Sequence, residues 1–247
     1  MTKRIFILIV GAVCMLTLSG IPAALSQDTL DTGKGPLVIT PIKHGSLMVE
    51  FNGKIIHVDP VLRMGDYETM PKADILLITH HHGDHFDLNA IDMLSKPDTK
   101  LVATHKCMEN AEGLKGLVMG NGDSRTVAGI PIRAVPAYNI KHKRDNGQPY
   151  HPKGEGNGYI LEMGEKIYVA GDTENIPEMK RLEDIDVAFL PMNLPYTMSP
   201  EMAAKAALTV RPEILYPYHF GKSETSRLVD LLKDHPEIEI RIRDMGF

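Results

Sequence analysis

The feature that most constrains this chain is a run of four histidines and one aspartate that directly follows an apolar segment. Residues 75–78 read ILLI, which predicts a short buried strand, and residues 79–85 read THHHGDH. Titratable groups packed this closely would repel one another when protonated, and nothing else in the segment offsets that repulsion. Imidazole and carboxylate groups in this mixture suit Zn²⁺, with Fe or Mn as less favoured occupants. The spacing therefore predicts a metal site at the end of a strand, with ligands drawn from His80, His82, Asp84 and His85.

Length and composition are those of an ordinary globular protein. Of the 247 residues, 43% are hydrophobic and 24% are charged, so the chain can bury a sizeable core without a disulfide bond between Cys14 and Cys107. The formal charge is -5, and no long run of lysine or arginine provides the positive surface that binding a phosphate backbone needs. These properties exclude a cysteine-rich scaffold and argue against nucleic acid as a partner.

The N-terminus has the pattern of a signal peptide. Lys3 and Arg4 precede an apolar run over residues 5–18, and small residues follow a break at Pro22. We expect residues 1–26 to be removed and residues 27–247 to form an exported domain, periplasmic or secreted. Removal of two of the 27 basic residues leaves 25 against 32 acidic ones, a net charge of about -7. The apolar run is short for a bilayer span, which argues against a stable membrane anchor; an N-terminal helix that stays attached is the alternative.

Beyond the N-terminus, strand and helix signals alternate without a linker or repeat that would divide the chain. Closely spaced β-rich runs between residues 37 and 59 predict an antiparallel opening, with Asn52-Gly53 as a hairpin turn. Further strands and helices follow, including a helix capped by Ser199 and a final strand at 238–243. Two β-then-α halves predict an α/β sandwich of sheets with helices outside. The polar loop 138–157 is long enough to carry function.

The histidine motif has two companions further along the chain. Gly171-Asp172-Thr173 follows a predicted strand, and His219 lies in the segment YPYHFG. Together these residues resemble the metallo-β-lactamase fold superfamily, whose signature is His-x-His-x-Asp-His after a strand, and residues 37–243 follow that family's order. The resemblance implies a four-layer αββα sandwich. It also implies the branch of small metal-dependent hydrolases similar to ascorbate-6-phosphate lactonase and N-acyl-phosphatidylethanolamine phospholipase D.

The resemblance further implies a role for each matching residue. In the family's pattern the first metal ion is held by His80 and His82, the second by Asp84, His85 and His219, and the bridge between them by Asp172. Asp84 and Asp172 would also act catalytically by orienting the attacking water. Asp59, in the segment HVDP, would brace the histidine loop, and His44 matches a turn near the rim of the active site.

One position departs from the family's pattern. The family usually supplies a third histidine to the first metal ion from a strand end, but here the sequence reads PAYN and offers Asn139, whose amide oxygen is a weak zinc ligand. His151, in the segment YHPKG of the following polar loop, is the candidate replacement. His142 is a weaker candidate because lysine and arginine flank it. The sequence leaves open whether one or two ions bind, and whether Asn139 or His151 completes the first site.

The chemistry that such a site favours is hydrolysis. Bound metal ions acidify a water molecule, and the resulting hydroxide attacks an ester, lactone or phosphodiester. Cations in the polar loop suggest a small-molecule substrate with an anionic group; they are Lys141, Lys143, Arg144 and Lys153. Two alternatives stay open, an iron-dependent oxidoreductase of the same fold and an exported metal-binding protein with a degenerate site. His82 favours zinc and hydrolysis, because di-iron relatives tend to carry a glutamate at that position.

Overall fold

The computed structural model describes residues 26–246. The predicted signal peptide, residues 1–26, therefore lies outside the described residues, apart from Ser26. The described chain forms two seven-stranded sheets with helices packed on their outer faces. The helices are α1 (Leu88–Leu94), α2 (His105–Glu109), α3 (Pro200–Val210) and α4 (Thr225–Leu232), with short 3-10 turns at Leu62–Met64 and Pro177–Arg181. Over residues 26–246, none of the helices combines the length and the apolar character that crossing a bilayer requires.

The first sheet is built entirely from the N-terminal half of the chain. Its strands, in spatial order, are β1 (Asp28–Asp31), β2 (Pro36–Lys43), β3 (Ser46–Phe51), β4 (Lys54–Val58), β5 (Ile75–Leu77), β6 (Lys100–Ala103) and β7 (Leu117–Val118). Strands β1 to β4 pair antiparallel, and β4 to β7 pair parallel. Parallel pairing brings the carboxyl ends of β4 and β5 to one edge of the sheet.

The second sheet repeats this plan with the C-terminal half. Its strands, in spatial order, are β14 (Glu239–Ile240), β13 (Ile214–Tyr218), β12 (Val187–Pro191), β11 (Glu165–Val169), β10 (Gly156–Met163), β9 (Ile130–Ala137) and β8 (Ser124–Val127). Strands β8 to β11 pair antiparallel, and β11 to β14 pair parallel. The carboxyl ends of β11 and β13 therefore meet at one edge as well.

Three apolar clusters fill the spaces between the layers. The central cluster packs the inner faces of the two sheets together and includes Val49, Tyr159 and Phe189. A second cluster lies between the second sheet and helices α3 and α4, and a third lies between the first sheet and helices α1 and α2. This helix–sheet–sheet–helix order confirms the predicted four-layer αββα sandwich.

Side-chain caps mark the starts of two helices. The Asp87 side chain accepts hydrogen bonds from the backbone N–H groups of Asn89 and Ala90 and thereby caps α1. Ser199 caps α3 by accepting from the N–H of Met202, with Pro200 as the first helical residue. Each cap satisfies backbone donors that have no partner within the helix.

The chain ends differ from the sequence prediction. Instead of a strand over residues 238–243, β14 covers only Glu239–Ile240. The chain then leaves the sheet, and the guanidinium of Arg243 donates to both carboxylate oxygens of Asp28 on β1 at 3.0 and 2.5 Å. The sequence does not predict β1, whose four residues read DTLD and lack a strand pattern.

Candidate metal centre

Strand ends from both sheets deliver the predicted site residues to one place. Asp59 directly follows β4, and the histidine loop follows β5 after Ile78. From the second sheet, Asp172 follows β11 and His219 directly follows β13. Two backbone hydrogen bonds join the sheets here, from His219 N to His44 O at 3.0 Å and from Asn157 N to Thr79 O at 2.9 Å. The site therefore lies across the edge where the two sheets meet.

Asp59 holds the histidine loop in position. Its fully buried carboxylate accepts hydrogen bonds from the backbone N–H of Thr79 at 2.7 Å and from the Thr79 hydroxyl at 2.5 Å. The same carboxylate lies 2.7 Å from Nδ1 of His85. This contact directs the other ring nitrogen of His85, Nε2, toward the site.

Four side chains form one group of potential ligands. His44, Asp84, His85 and His219 each place one ligand atom within 4.8 Å of the others. Asp84 Oδ2 lies 3.1 Å from His44 Nε2 and 3.7 Å from His219 Nε2. His44 is fully buried, and its ring lies 3.7 Å from that of His219 between centroids. The structure thus places His44 in contact with Asp84, beside the other two histidines of the group.

Three histidines form a second group beside the first. His80, His82 and His151 place one ring nitrogen each within 4.8 Å of one another. Their ring centroids are 4.8 to 5.0 Å apart. His80 and His151 are buried, and His82 is half-buried. The polar loop therefore brings His151, the candidate replacement, beside two histidines of the motif.

Asp172 lies between the two groups. Its Oδ2 is 3.2 Å from Nε2 of His151 and 3.9 Å from Nε2 of His80 on one side. On the other side the same oxygen is 3.3 Å from Nε2 of His219, and Oδ1 is 3.5 Å from Nε2 of His85. A single buried carboxylate thus faces imidazoles of both groups, which is the position that a bridging ligand needs.

Four buried polar atoms at the centre make no hydrogen bond within the described part of the protein. Nε2 of His80, His85 and His219 and Oδ1 of Asp172 are buried and accept or donate no hydrogen bond there. Leaving several polar atoms buried and unpaired is unfavourable, and nitrogen and carboxylate oxygen are the donor atoms that zinc prefers. The residues present therefore fit one or two divalent metal ions.

Burial prepares the histidines for metal binding. It lowers the pKa of His44 and of His82 to about 4, and it lowers the pKa of His80 well below its usual value. These imidazoles are neutral at pH 7, which is the form that binds metal. Burial alone would also lower the pKa of His85, but the carboxylates of Asp172 and Asp59 raise it to about 9.

The Asp172 carboxylate stays ionised despite full burial. Burial alone would raise its pKa, but the surrounding imidazoles of His219, His85 and His151 bring the pKa well below its usual range. An ionised carboxylate in this position supplies negative charge to any cation bound in either group.

Asn139 orients His151. The Asn139 Oδ1 atom lies 2.8 Å from both the backbone nitrogen and Nδ1 of His151. Because a backbone N–H can only donate, Oδ1 is the acceptor, and Nδ1 of His151 donates as well. Nε2 of His151 is then left with its lone pair, which faces Asp172 and the metal-binding group.

Glu174, which follows Asp172-Thr173 directly, is a site residue that the sequence did not predict. It is 1% exposed and accepts hydrogen bonds from Nδ2 of Asn139 and from the backbone N–H groups of Lys141 and His142. The polar loop is therefore attached through Glu174 to the segment that carries Asp172. The sequence offered one signal for its role, a glutamate two residues after the predicted bridging aspartate.

The remaining candidates lie away from the metal-binding groups. Nδ1 of His142 is 3.0 Å from the carbonyl oxygen of Thr197 and 3.1 Å from Glu174, so this ring is engaged elsewhere. Of the four cations in the polar loop, Lys153 pairs with Glu178 at 2.7 Å. Arg144 alone among those four lines the cavity above the site.

Comparison with known proteins agrees with this geometry. A family model described as a β-lactamase superfamily domain matches residues 38–219. The chain belongs to that superfamily. The match covers the histidine motif, Asp172 and His219, so the predicted membership of the metallo-β-lactamase fold superfamily is confirmed.

Relatives within the superfamily are metal-dependent hydrolases. The chain is 30% identical over 183 residues to a UPF0173 metal-dependent hydrolase of Nanoarchaeum equitans, covering 72% of this chain and 81% of that protein. It is 32% identical over 201 residues to a UPF0173 metal-dependent hydrolase of Thermus thermophilus, covering 79% and 80%. This superfamily member is therefore a metal-dependent hydrolase.

Solved structures show the same fold. A crystal structure from Parabacteroides distasonis, described as that of a metal-dependent hydrolase, has a TM-score of 0.85 and 49% identity, covering 90% of this chain and 100% of that one. The metallo hydrolase Igni18 of Ignicoccus hospitalis has a TM-score of 0.70 and 25% identity, covering 85% and 96%.

Proposed function

We propose that this superfamily member is a zinc-dependent hydrolase of a small-molecule ester, lactone or phosphodiester and that it binds two metal ions. The observation that carries the proposal is a set of buried nitrogen and oxygen atoms around Asp172 that make no hydrogen bond within the described residues. These atoms belong to two adjacent groups of potential ligands and to Asp172 between them. One ion would be held by His80, His82 and His151, and the other by Asp84, His85 and His219 with His44 adjacent. Asp172 would bridge the two.

Zinc suits this ligand set better than iron. One group offers three imidazole nitrogens, and the other offers imidazole nitrogens with the carboxylate of Asp84. Both ligand sets are typical of catalytic zinc sites. His82 is an imidazole where di-iron relatives of this fold tend to carry a glutamate. We therefore propose Zn²⁺ as the metal, with Fe or Mn less favoured.

The two aspartates differ in exposure and therefore in role. Bound zinc ions would acidify a water molecule and stabilise negative charge that develops on the substrate oxygen. The Asp84 side chain is 31% exposed and lines the cavity, so its carboxylate can accept a hydrogen bond from a water molecule entering from solvent. Asp172 is only 3% exposed and is placed to hold the two ligand groups together. We assign orientation of the attacking water to Asp84, with Asp172 assisting.

We also propose that the enzyme is exported and acts in the periplasm or outside the cell. The support is the signal-peptide pattern of residues 1–26. Cys107 is then the single cysteine of the mature chain, where it is buried and free. Mass spectrometry of the protein from its native host would show an N-terminus at Gln27; an N-terminus at Met1 would contradict export by cleavage.

A chelation assay tests the proposed activity. The zinc-loaded enzyme is assayed on a 4-nitrophenyl ester, a γ-lactone and bis(4-nitrophenyl) phosphate, then stripped with a chelator and reloaded with Zn²⁺, Mn²⁺ or Fe²⁺. We expect hydrolysis of at least one substrate, its loss on stripping and its return with zinc. His219→Ala should remain folded and lose the activity, whereas His235→Ala, at a partly exposed histidine that pairs with Glu237, should keep it. Activity that survives stripping, or returns only with iron, would contradict the proposal.

A further inference from the structure

We propose that Arg144, together with Tyr150 and Tyr196, forms a subsite for an anionic group of the substrate. This inference rests on the proposed function and narrows it to substrates that carry a carboxylate or phosphate apart from the bond that is cleaved. The evidence for it comes from the residues that form the walls of the cavity above the metal-binding groups.

The cavity has a polar floor and an aromatic wall. Its volume is about 260 Å³. Five of its lining residues belong to the metal-binding groups, namely His82, Asp84, His151, Asp172 and His219. The other four lining residues are Arg144, Tyr150, Asn193 and Tyr196, which come from the polar loop and from the turn after β12.

Arg144 is held in place although it is exposed. Its backbone is fixed in a tight turn by hydrogen bonds from Arg144 N to Gln148 O and from Gly147 N to Arg144 O, both 2.8 Å. The guanidinium carbon lies 5.0 Å from the centre of the Tyr150 ring, a distance at which the cation is attracted to the ring face. Its position on the cavity wall is therefore set by the loop.

The Arg144 guanidinium has no carboxylate partner within residues 26–246. Its side-chain contacts there are the Tyr150 ring and, at 3.5 Å, the Tyr150 carbonyl oxygen. By contrast, Lys153 in the same loop is paired with Glu178. The planar N–H groups of an arginine match the two oxygens of a carboxylate or phosphate. An anion in the cavity would therefore accept hydrogen bonds from the Arg144 guanidinium.

The charge balance of the loaded site favours an anion. Asp59, Asp84 and Asp172 provide three negative charges around the ligand groups, whereas two divalent ions would bring four positive charges. Arg144 adds a further positive charge on the wall. The excess of positive charge in this cavity attracts anionic molecules and contributes little to the binding of neutral ones.

The aromatic wall specifies the rest of the substrate. The rings of Tyr150 and Tyr196 meet edge to face, with centroids 5.1 Å apart. Tyr196 is 45% exposed, and Leu194 in the same turn is 47% exposed. An acyl or aromatic portion of the substrate would cover this surface, so the substrate class is a small anionic ester or phosphodiester with an apolar portion.

The experiment compares two esters that differ in one charge. The zinc-loaded enzyme is assayed on 4-nitrophenyl butyrate and on the mono(4-nitrophenyl) ester of glutaric acid. We expect wild type to prefer the anionic ester, and Arg144→Gln to lower the ratio of kcat/KM for anionic over neutral ester about tenfold or more, mainly through KM. Lys143→Gln removes the same charge from the neighbouring residue outside the cavity lining and should leave the ratio within about twofold.

Equilibrium binding separates this inference from the proposed function. Calorimetry measures binding of glutarate and of phenyl phosphate to wild type, Arg144→Gln and Lys143→Gln, and it needs no turnover. Weaker binding of either anion to Arg144→Gln alone supports the subsite, even if neither ester is hydrolysed, and the anion affected identifies the carboxylate or the phosphate. Equal binding by all three proteins, or an unchanged ratio of kcat/KM in Arg144→Gln, overturns the subsite, whether or not the enzyme hydrolyses esters.

Discussion

Replacing Asn139 by alanine tests whether the amide orients a metal ligand. The change removes the oxygen that accepts from both the backbone N–H and Nδ1 of His151, each at 2.8 Å. Both residues are buried, at 4% and 6% exposure, so solvent only partly replaces the lost acceptor. The imidazole of His151 is then free to rotate or to change tautomer, and its Nε2 no longer has a fixed direction.

The change should affect both the stability of the fold and the affinity for metal. A buried donor left unpaired costs about 1–3 kcal/mol, so two donors lower the free energy of unfolding by about 2–6 kcal/mol. Losing a partner that orients a metal-binding histidine weakens metal affinity about 10- to 100-fold. The second effect should fall on one ion only, because the ligands of the group with Asp84, His85 and His219 do not contact Asn139.

The assay is a competition titration of the metal-free protein against a chromophoric chelator, together with thermal unfolding. Asn121→Ala is the matched control, because its amide bonds to Gly156 O and to Asn157 but to no histidine. We expect Asn139→Ala to show one weakened zinc site and Asn121→Ala to show wild-type affinities. A folded Asn139→Ala protein that binds both ions within twofold of wild type would refute the role assigned to this amide.

Two further changes test the scaffold around the site. In Gly45→Ala the new methyl group would lie 2.5 Å from the His85 ring, so we expect displacement of that ring and at least a tenfold loss of activity. Gly120→Ala is the control, because its new methyl group meets no atom closer than 4.0 Å, and it should keep activity. Asp28→Asn should lower Tm by a few degrees at pH 7, since burial would raise the pKa of Asp28 but Arg243 and Tyr216 lower it overall. The lowered pKa means that Asp28 stabilises the fold above the unfolded-state pKa near 4 and loses this effect as it becomes protonated at lower pH. The Tm difference between Asp28→Asn and wild type should therefore shrink below pH 4. A constant difference would contradict this ion pair.

Local signals in the sequence were sufficient for most elements of the fold. The run ILLI before the histidine motif predicted β5, and the cap Ser199 predicted the start of α3. These features depend on residues close together in the chain, so a pattern of a few positions contains the information. The motif at residues 80–85 is likewise local, because one tight loop after a strand brings its side chains together.

Features that depend on distant partners could not be predicted in the same way. The contact between Asp28 on β1 and Arg243 joins residues 215 apart in the chain, so no local pattern contains it. The contact of Asn139 with His151 depends on the path of a polar loop that returns to its own starting point. The position of Glu174 beneath that loop and the assignment of Arg144 to the cavity wall likewise required the folded structure, since four loop cations looked equivalent in the sequence.

Metal content per chain tests the account most directly. Elemental mass spectrometry would be applied to the mature protein purified without chelators, to His151→Ala and to the matched loop variant His142→Ala. The ligand groups predict about two zinc ions in wild type and in His142→Ala, and about one in His151→Ala. One ion or fewer in wild type, or an unchanged metal content in His151→Ala, would contradict the two-ion site with His151 as a ligand.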